Sequence, residues 1–403
     1  MTAPVARLTD DGVQPHKPIR VMACFGTRPE AIKLAPVVEA LRSRTDVEVT
    51  TVVTGQHREM LDQTLRAFGL EADVDLGLME HGQDLATLTS RAIPAVSGVL
   101  AERRPDVVIV QGDTTTAFCG ALAAYYHDVA VAHVEAGLRT HDLRSPFPEE
   151  GNRRMIGQLA RWHFCTSLDG ARNLAAEGIE AADVLVTGNT VIDALLSALA
   201  RPLSSEHAVL LPPSSGRRRV LVTLHRRETQ GAAQRELCRM LADLVRERPD
   251  VEIVFPVHLS PAVRASVLDE LGGVPSVHLI DPLPYQAFVY AMRSSDVIVT
   301  DSGGVQEEAP ALGVPVLVMR EATERPEGVA AGCARLSGTA PGGVRADLVR
   351  LLDDARAHAA MAAAANPYGD GRAADRIADR LLSDLGHGSA ASVCGEAAEL
   401  LVA

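Results

Sequence analysis

Lysine is almost missing from this chain: Lys17 and Lys33 are the only two among 39 basic side chains, and the rest are arginine. Aromatic residues amount to 3%, with a single tryptophan. The six cysteines (Cys24, Cys119, Cys165, Cys238, Cys333 and Cys394) form no Cys-x-x-Cys pair, and several lie inside apolar runs. That pattern argues against a zinc site or a disulfide framework and for reduced core cysteines, so no metal is expected. A basic excess is lacking too. A net charge of -13 and a pI near 5.5 exclude a general nucleic-acid binder, and any anionic ligand must be held by locally placed cations. No apolar run approaches the roughly 18 residues of a membrane span. The first 17 residues are polar and lack the apolar segment of a signal peptide, so the expected location is cytoplasmic.

Apolar sequence is abundant: 47% of 403 residues is enough for two ordinary cores. Short β-branched runs alternate with longer helical patterns, the sign of parallel sheets covered by helices. The first set of strand candidates is Ile19 to Phe25, Val47 to Val53, Val107 to Gln111, Val129 to Val134, His163 to Thr166 and Val184 to Thr187. A Pro/Ser/Arg-rich stretch, Arg201 to Arg219, interrupts the pattern. It restarts with Arg219 to Thr223, Glu252 to Pro256, Val277 to Ile280, Val297 to Thr300 and Pro315 to Met319. The fold class expected is α/β, with two Rossmann-like doubly wound domains and a cleft between them. The domains would span 19–190 and 191–371, after a polar extension over 1–18. A last amphipathic helix over 372–385 and a weakly patterned, peripheral tail over 386–403 complete the chain.

Charged residues gather where the strands end. Gly26-Thr27-Arg28-Pro29-Glu30 and Asp301-Ser302-Gly303-Gly304 each follow an apolar strand and open a helix, the place where open α/β sheets bind ligands. Arg28 and Lys33 can aim two cations at one anion; the alternative is a surface helix with a Glu30–Lys33 pair. Asp113 ends the strand Val107 to Gln111 and is either a functional acid or the N-cap of the next helix. Glu135 interrupts an apolar strand, where a carboxylate is costly unless neutralised or kept by function. Glu149 is a further acid, or a first-turn carboxylate on a helix dipole. His225 ends the strand before it and is either a functional group or a satisfied loop histidine, and His258 repeats that placement more weakly. Ser302, Gly303 and Gly304 either let backbone N–H groups approach a diphosphate or form an ordinary turn; Glu308, about one helical turn on, could bind ribose hydroxyls, and Arg325 would add a cation. Phe288 is either a ring stacked on a base or helix-core packing.

Together these blocks, from Phe25 to Pro36, Gln111 to Thr116, His133 to Thr140, Pro146 to Arg154, Val222 to Glu228 and Thr300 to Glu308, resemble the bacterial UDP-N-acetylglucosamine 2-epimerases of the non-hydrolysing type. The resemblance runs from about Ile19 to Leu385. It implies the glycosyltransferase-B fold, a homodimer, a last helix that returns to the first domain, and no cofactor. It also implies catalytic roles for Asp113, Glu135, Glu149 and His225, and UDP contacts from Arg28, Lys33, Arg153, His225, Phe288, Ser302, Gly303, Gly304, Glu308 and Arg325. The implied ligands are UDP-N-acetylglucosamine and UDP-N-acetylmannosamine, without nucleic acid or membrane partners. Gln56 and His258 match the pattern of a second, activating nucleotide-sugar site, although Gly82 stands where some members have arginine. Thr229 departs from the family's His-Arg-Arg-Glu-Asn block. A glycosyltransferase of the same fold and a hydrolysing epimerase are the rival readings. The first loop lacks the later glycines of a dinucleotide fingerprint, which disfavours a nicotinamide enzyme.

Overall fold

A computed structural model describes residues 17–386 apart from 56, 57, 79, 81 and 227–230. The seven strands of the first sheet are β1 (Ile19–Phe25), β2 (Val47–Val53), β3 (Val74–Asp75), β4 (Val107–Gln111), β5 (Ala130–Ala136), β6 (Trp162–Cys165) and β7 (Val184–Val186). The six of the second are β8 (Arg218–Thr223), β9 (Val251–Pro256), β10 (Val277–Ile280), β11 (Val297–Thr300), β12 (Val316–Val318) and β13 (Ala334–Leu336). All are parallel, in the orders 3-2-1-4-5-6-7 and 10-9-8-11-12-13. The α/β class and the two doubly wound sheets match the expectation.

The strands read as unbroken apolar runs because helices cover both faces, so alternate side chains on each side are buried. Val107–Gln111 and Val297–Thr300 are buried at every position. The two short outer strands β3 and β13 escaped the sequence reading because two or three residues carry no period. β5 also runs further than expected, to Ala136. A register shift between Val134 and Ala136 lets it pass through Glu135, which adopts φ +63°.

Chain order in each sheet reverses once, between β1 and β4 and between β8 and β11. At such a point the loops leaving the strands diverge and open a crevice at their carboxyl ends. The loop after β1 is fixed by a capping box. Thr27 caps the helix Arg28–Arg42, and the buried Glu30 accepts the amides of Gly26 (3.1 Å) and Thr27 (2.7 Å) and the Thr114 hydroxyl (2.7 Å). Glu30 therefore ties the β1 and β4 loops together and does not pair with Lys33. The N-cap after β4 is Thr114, not Asp113, which leaves the Asp113 carboxylate for another partner.

One buried cluster runs through both halves, from Phe25, Leu34 and Trp162 to Val289, Ile298 and Val316. The last helix, Ala373–Asp384, packs Ile377, Ala378 and Leu381 into this cluster. Asp384 accepts the indole N–H of Trp162 at 2.7 Å, and Arg44 donates to Asp375 and Asp379. Cys24, Cys119, Cys165, Cys238 and Cys333 are buried and unbridged; Cys394 lies outside the described residues. Among the described residues no helix is long and apolar enough to cross a membrane, and no cluster of three or more His, Cys, Asp or Glu side chains could hold a metal.

Gly137 follows the strained Glu135 at φ +83°, and a Cβ there would lie 2.2 Å from the Gly170 carbonyl oxygen. Gly137→Ala should therefore destabilise the chain by about 2 kcal/mol or more, since both a left-handed backbone and a rigid backbone contact oppose it. Urea unfolding of the two proteins checks this, and a change under about 0.5 kcal/mol would contradict the packing described.

Candidate active site

The two crevices face each other across a cleft of about 560 Å³. Arg28, Ile32 and Lys33 line it from the first sheet's side. His225, His258, Leu283, Tyr285, Phe288, Ser302, Gly304, Glu307, Glu308 and Arg325 line it from the second. One wall comes from the loop after β1 and the other from the loops after β8, β9, β10 and β11, so a ligand there touches residues far apart in the chain.

On the first side, Lys33 and Glu135 form a nearly buried ion pair, with Nζ 2.7 Å from both carboxylate oxygens. Gln111, the last residue of β4, also donates to Glu135. Burial works against the Lys33 charge, but Glu135, by charge and hydrogen bond, together with Glu307 more than offsets it, and the ammonium is held above its usual value. The Asp113 carboxylate lies at the end of the neighbouring strand and accepts from Nε (3.1 Å) and Nη2 of Arg153. Its carbonyl accepts from Asn152 at 2.9 Å. Glu149 begins the helix Glu149–Leu159 that carries both donors, and its buried Oε2 has no hydrogen-bond partner.

On the second side, Ser302 precedes the helix Gly303–Glu308 and its side chain makes no capping bond. Gly303 is required by Arg325: a Cβ at that position would come within 2.7 Å of the guanidinium. Arg325 donates to Glu307 at 2.6 Å, and Glu307 also accepts from Asn189 at 3.1 Å. Burial opposes the Arg325 charge, yet Glu307 prevails and the group is held above its usual value. Glu308 accepts the Tyr285 hydroxyl at 2.8 Å. Burial pushes its carboxyl up to about 7, despite that bond and despite Lys33 and Arg28 nearby. Arg28 in turn is lowered by burial, with Glu308 opposing; a guanidinium begins so high that it remains a cation. The His225 ring stacks on His258 with centroids 6.2 Å apart, and its Nδ1 lies 3.2 Å from the buried Asp301.

Nine of the residues singled out in the sequence thus line one cleft: Arg28, Lys33, His225, His258, Phe288, Ser302, Gly304, Glu308 and Arg325. Glu135 joins it through Lys33, and Gly303 sits directly beneath Arg325. Asp113, Glu149 and Arg153 do not line the cleft themselves. Asp113 directly follows Gly112, whose Cβ position would be 3.7 Å from Glu135 Oε2, and Arg153 binds Asp113. Gln56 lies outside the described residues. Gln111, Asn189, Tyr285 and Glu307 are not among the residues expected at the site. Gln111 and Glu307 had a visible signal, as polar residues at the end of an apolar strand and inside a motif already singled out. Asn189 and Tyr285 had none.

Two doubly wound parallel sheets whose switch points close on a cation-lined cleft define a protein of the glycosyltransferase-B architecture. Comparison with known proteins narrows this. The family model described as UDP-N-acetylglucosamine 2-epimerase matches residues 39–382. The UDP-N-acetylglucosamine 2-epimerase of Escherichia coli is 48% identical over 369 residues, 90% of this chain and 98% of that protein. The crystal structure of the UDP-GlcNAc 2-epimerase of Neisseria meningitidis bound to UDP-GlcNAc matches with a TM-score of 0.83 and 43% identity, covering 91% of this chain and all of that one. The Methanocaldococcus jannaschii enzyme in complex with UDP-GlcNAc and UDP matches at 0.74 and 31%, again over 91% of this chain and all of that one. The chain belongs to the UDP-N-acetylglucosamine 2-epimerase family.

The raised Glu308 carboxyl has a consequence for stability. A carboxyl moved from 4.5 to about 7 by the fold contributes nothing below 4.5 and an increasing destabilisation as the pH climbs to 7. Glu308→Gln should match the parent near pH 4.5 and exceed it by on the order of 3 kcal/mol above pH 7, from the size of the shift. Urea unfolding of the ligand-free proteins at pH 5 and pH 8 measures the difference, and an offset that does not grow with pH would contradict it.

Proposed function

We propose that the protein interconverts UDP-N-acetylglucosamine and UDP-N-acetylmannosamine without a cofactor, in the non-hydrolysing manner. The observation that carries this reading is the division of charge across one site. On the first sheet's side Glu135 reaches the cleft through Lys33, with Asp113 following Gly112 beside Glu135, while His225, Arg325 and the start of the helix Gly303–Glu308 line the cleft from the second. In the forward direction a carboxylate removes the C2 proton, its electron pair forms the C1=C2 bond, and the C1–O bond breaks to release UDP and leave a 2-acetamidoglucal. In the return, C2 takes a proton on the opposite face while a UDP oxygen attacks C1. Negative charge grows on the diphosphate and positive charge on the ring, so cations and N–H groups suit the first and carboxylates the second.

Asp113, Glu135 and Glu149 are the groups proposed to move the proton, with His225 on the diphosphate. Arg28, Arg325, the Ser302 side chain and the Gly303 and Gly304 amides are proposed to hold the diphosphate, Glu308 the ribose and Phe288 the base. Lys33 stands between the two sets, bonded to Glu135 and facing the cleft. We further propose a homodimer in the cytoplasm, with domains over 19–190 and 191–371 and the helix of 372–385 belonging to the first. His258 and Gln56 are proposed to bind a second nucleotide sugar as activator. The stacking of His258 on His225 would place that ligand beside the reacting one.

Incubating the protein with UDP-N-acetylglucosamine alone in D2O and following proton NMR tests the reaction. The manno epimer should appear carrying deuterium at C2. Accumulation of free UDP and N-acetylmannosamine would mean hydrolysis, and inertness without an acceptor would favour a glycosyltransferase. Asp113→Asn and Glu149→Gln should each lower kcat by about 10²- to 10⁴-fold, the usual worth of a positioned acid or base, while the Kd for UDP changes by less than about threefold.

A further inference from the structure

The family resemblance implies that Arg153 is a ligand for the nucleotide. Its surroundings point elsewhere. It is buried, it does not line the cleft, and each guanidinium nitrogen faces a carboxylate. Nε and Nη2 donate to Asp113 Oδ2, and Nη1 donates to Glu150 Oε2 at 3.3 Å. Glu150 is fully buried and saturated by acceptor contacts. It takes the amides of Thr140 (3.0 Å) and His141 (3.2 Å) in the loop after β5, and the side chains of Arg153 and Arg154 (2.9 Å). Burial works against its charge, but the Thr140 amide and the Arg154 and Arg153 guanidiniums hold the carboxyl below its usual value. Asn152, from the same helical turn, donates to the Asp113 carbonyl.

The first turn of the helix Glu149–Leu159 therefore grips Asp113 twice, by carboxylate and by backbone, and presents Glu149 from the same turn. Glu150 anchors that turn to the loop that follows Glu135. We infer that Glu150 and Arg153 are a positioning pair that sets the relative places of Asp113 and Glu149, and that Arg153 is not a nucleotide ligand. This rests on the proposed role of Asp113 and Glu149 in proton transfer. Physically, a buried arginine between two carboxylates has a fixed planar geometry, so it can hold Asp113 in one orientation while Glu150 prevents it from swinging toward the cleft. A lysine would keep the charge but not the fork.

The test compares Arg153→Lys, Arg153→Met and Glu150→Gln with the parent. Circular dichroism and urea unfolding select the variants that fold; Arg153→Lys retains a cation and so keeps both carboxylates partnered. The expected result for Arg153→Lys is a fall in kcat of about 100-fold, the usual penalty of misplacing a reacting group by about an ångström, with KM and the Kd for UDP within about threefold. Glu150→Gln should fall in the same direction with UDP affinity intact. In an Asp113→Asn background Arg153→Lys should cost less than about threefold more, because the group it positions is already disabled. A fully additive double substitution would reduce Arg153 to general structural support and overturn the inference. So would a tenfold or greater loss of UDP affinity in Arg153→Lys, which calorimetry measures without any turnover. Failure of the parent protein to epimerise would show itself in the D2O experiment first and would remove the functional reading along with the inference.

Discussion

A carboxylate buried without a partner is among the costliest things a protein can contain, and this site is organised around neutralising several of them. Glu135 is matched by Lys33, Asp113 by Arg153, Glu150 by Arg153 and Arg154, and Glu307 by Arg325. Each cation comes from a different segment than its acid or from a neighbouring turn, so the ion pairs also hold strand-end loops in register. The chain's preference for arginine fits this arrangement, since a planar fork can bridge two acids at once. At Lys33 the partner is a single carboxylate reached by both oxygens, and a compact ammonium suffices.

The backbone departs from regular geometry around Glu135. Glu135 takes a left-handed conformation inside a strand, at a point where the pairing slips, and Gly137 follows it against the Gly170 backbone. A strain of this kind, on the order of 1–3 kcal/mol, persists only when its surroundings enforce it. Here Lys33 and Gln111 hold the side chain, and the buried strands on either side hold the main chain. Gly303 shows the same economy on the other wall, where the missing side chain is the space that Arg325 occupies.

Most of the fold was legible in the residues themselves. Long apolar runs ending in charged loops marked β1, β4, β8 and β11, because a strand covered on both faces is apolar over most of its length. The short strands β3 and β13 were not legible, since their identity comes only from neighbours that supply a ladder. For the site, residue type marked most of the positions. Arg28, His225, Ser302, Glu308 and Arg325 stood out as polar groups at strand ends, and they do meet in one cleft. Tyr285 and Asn189 did not stand out, because a tyrosine at a helix start and an asparagine cap are ordinary residues until a partner is seen.

Sequence alone determined the class of fold and marked the two charged loops that open helices at strand ends, because each depends on residue type and local order. Tertiary structure decided which charges neutralise one another. It paired Lys33 with Glu135 and not with Glu30, gave Asp113 to Arg153, and raised Glu308 by burial beside Tyr285. Those outcomes depend on distance and desolvation, and both are set only when strands remote in the chain are brought side by side.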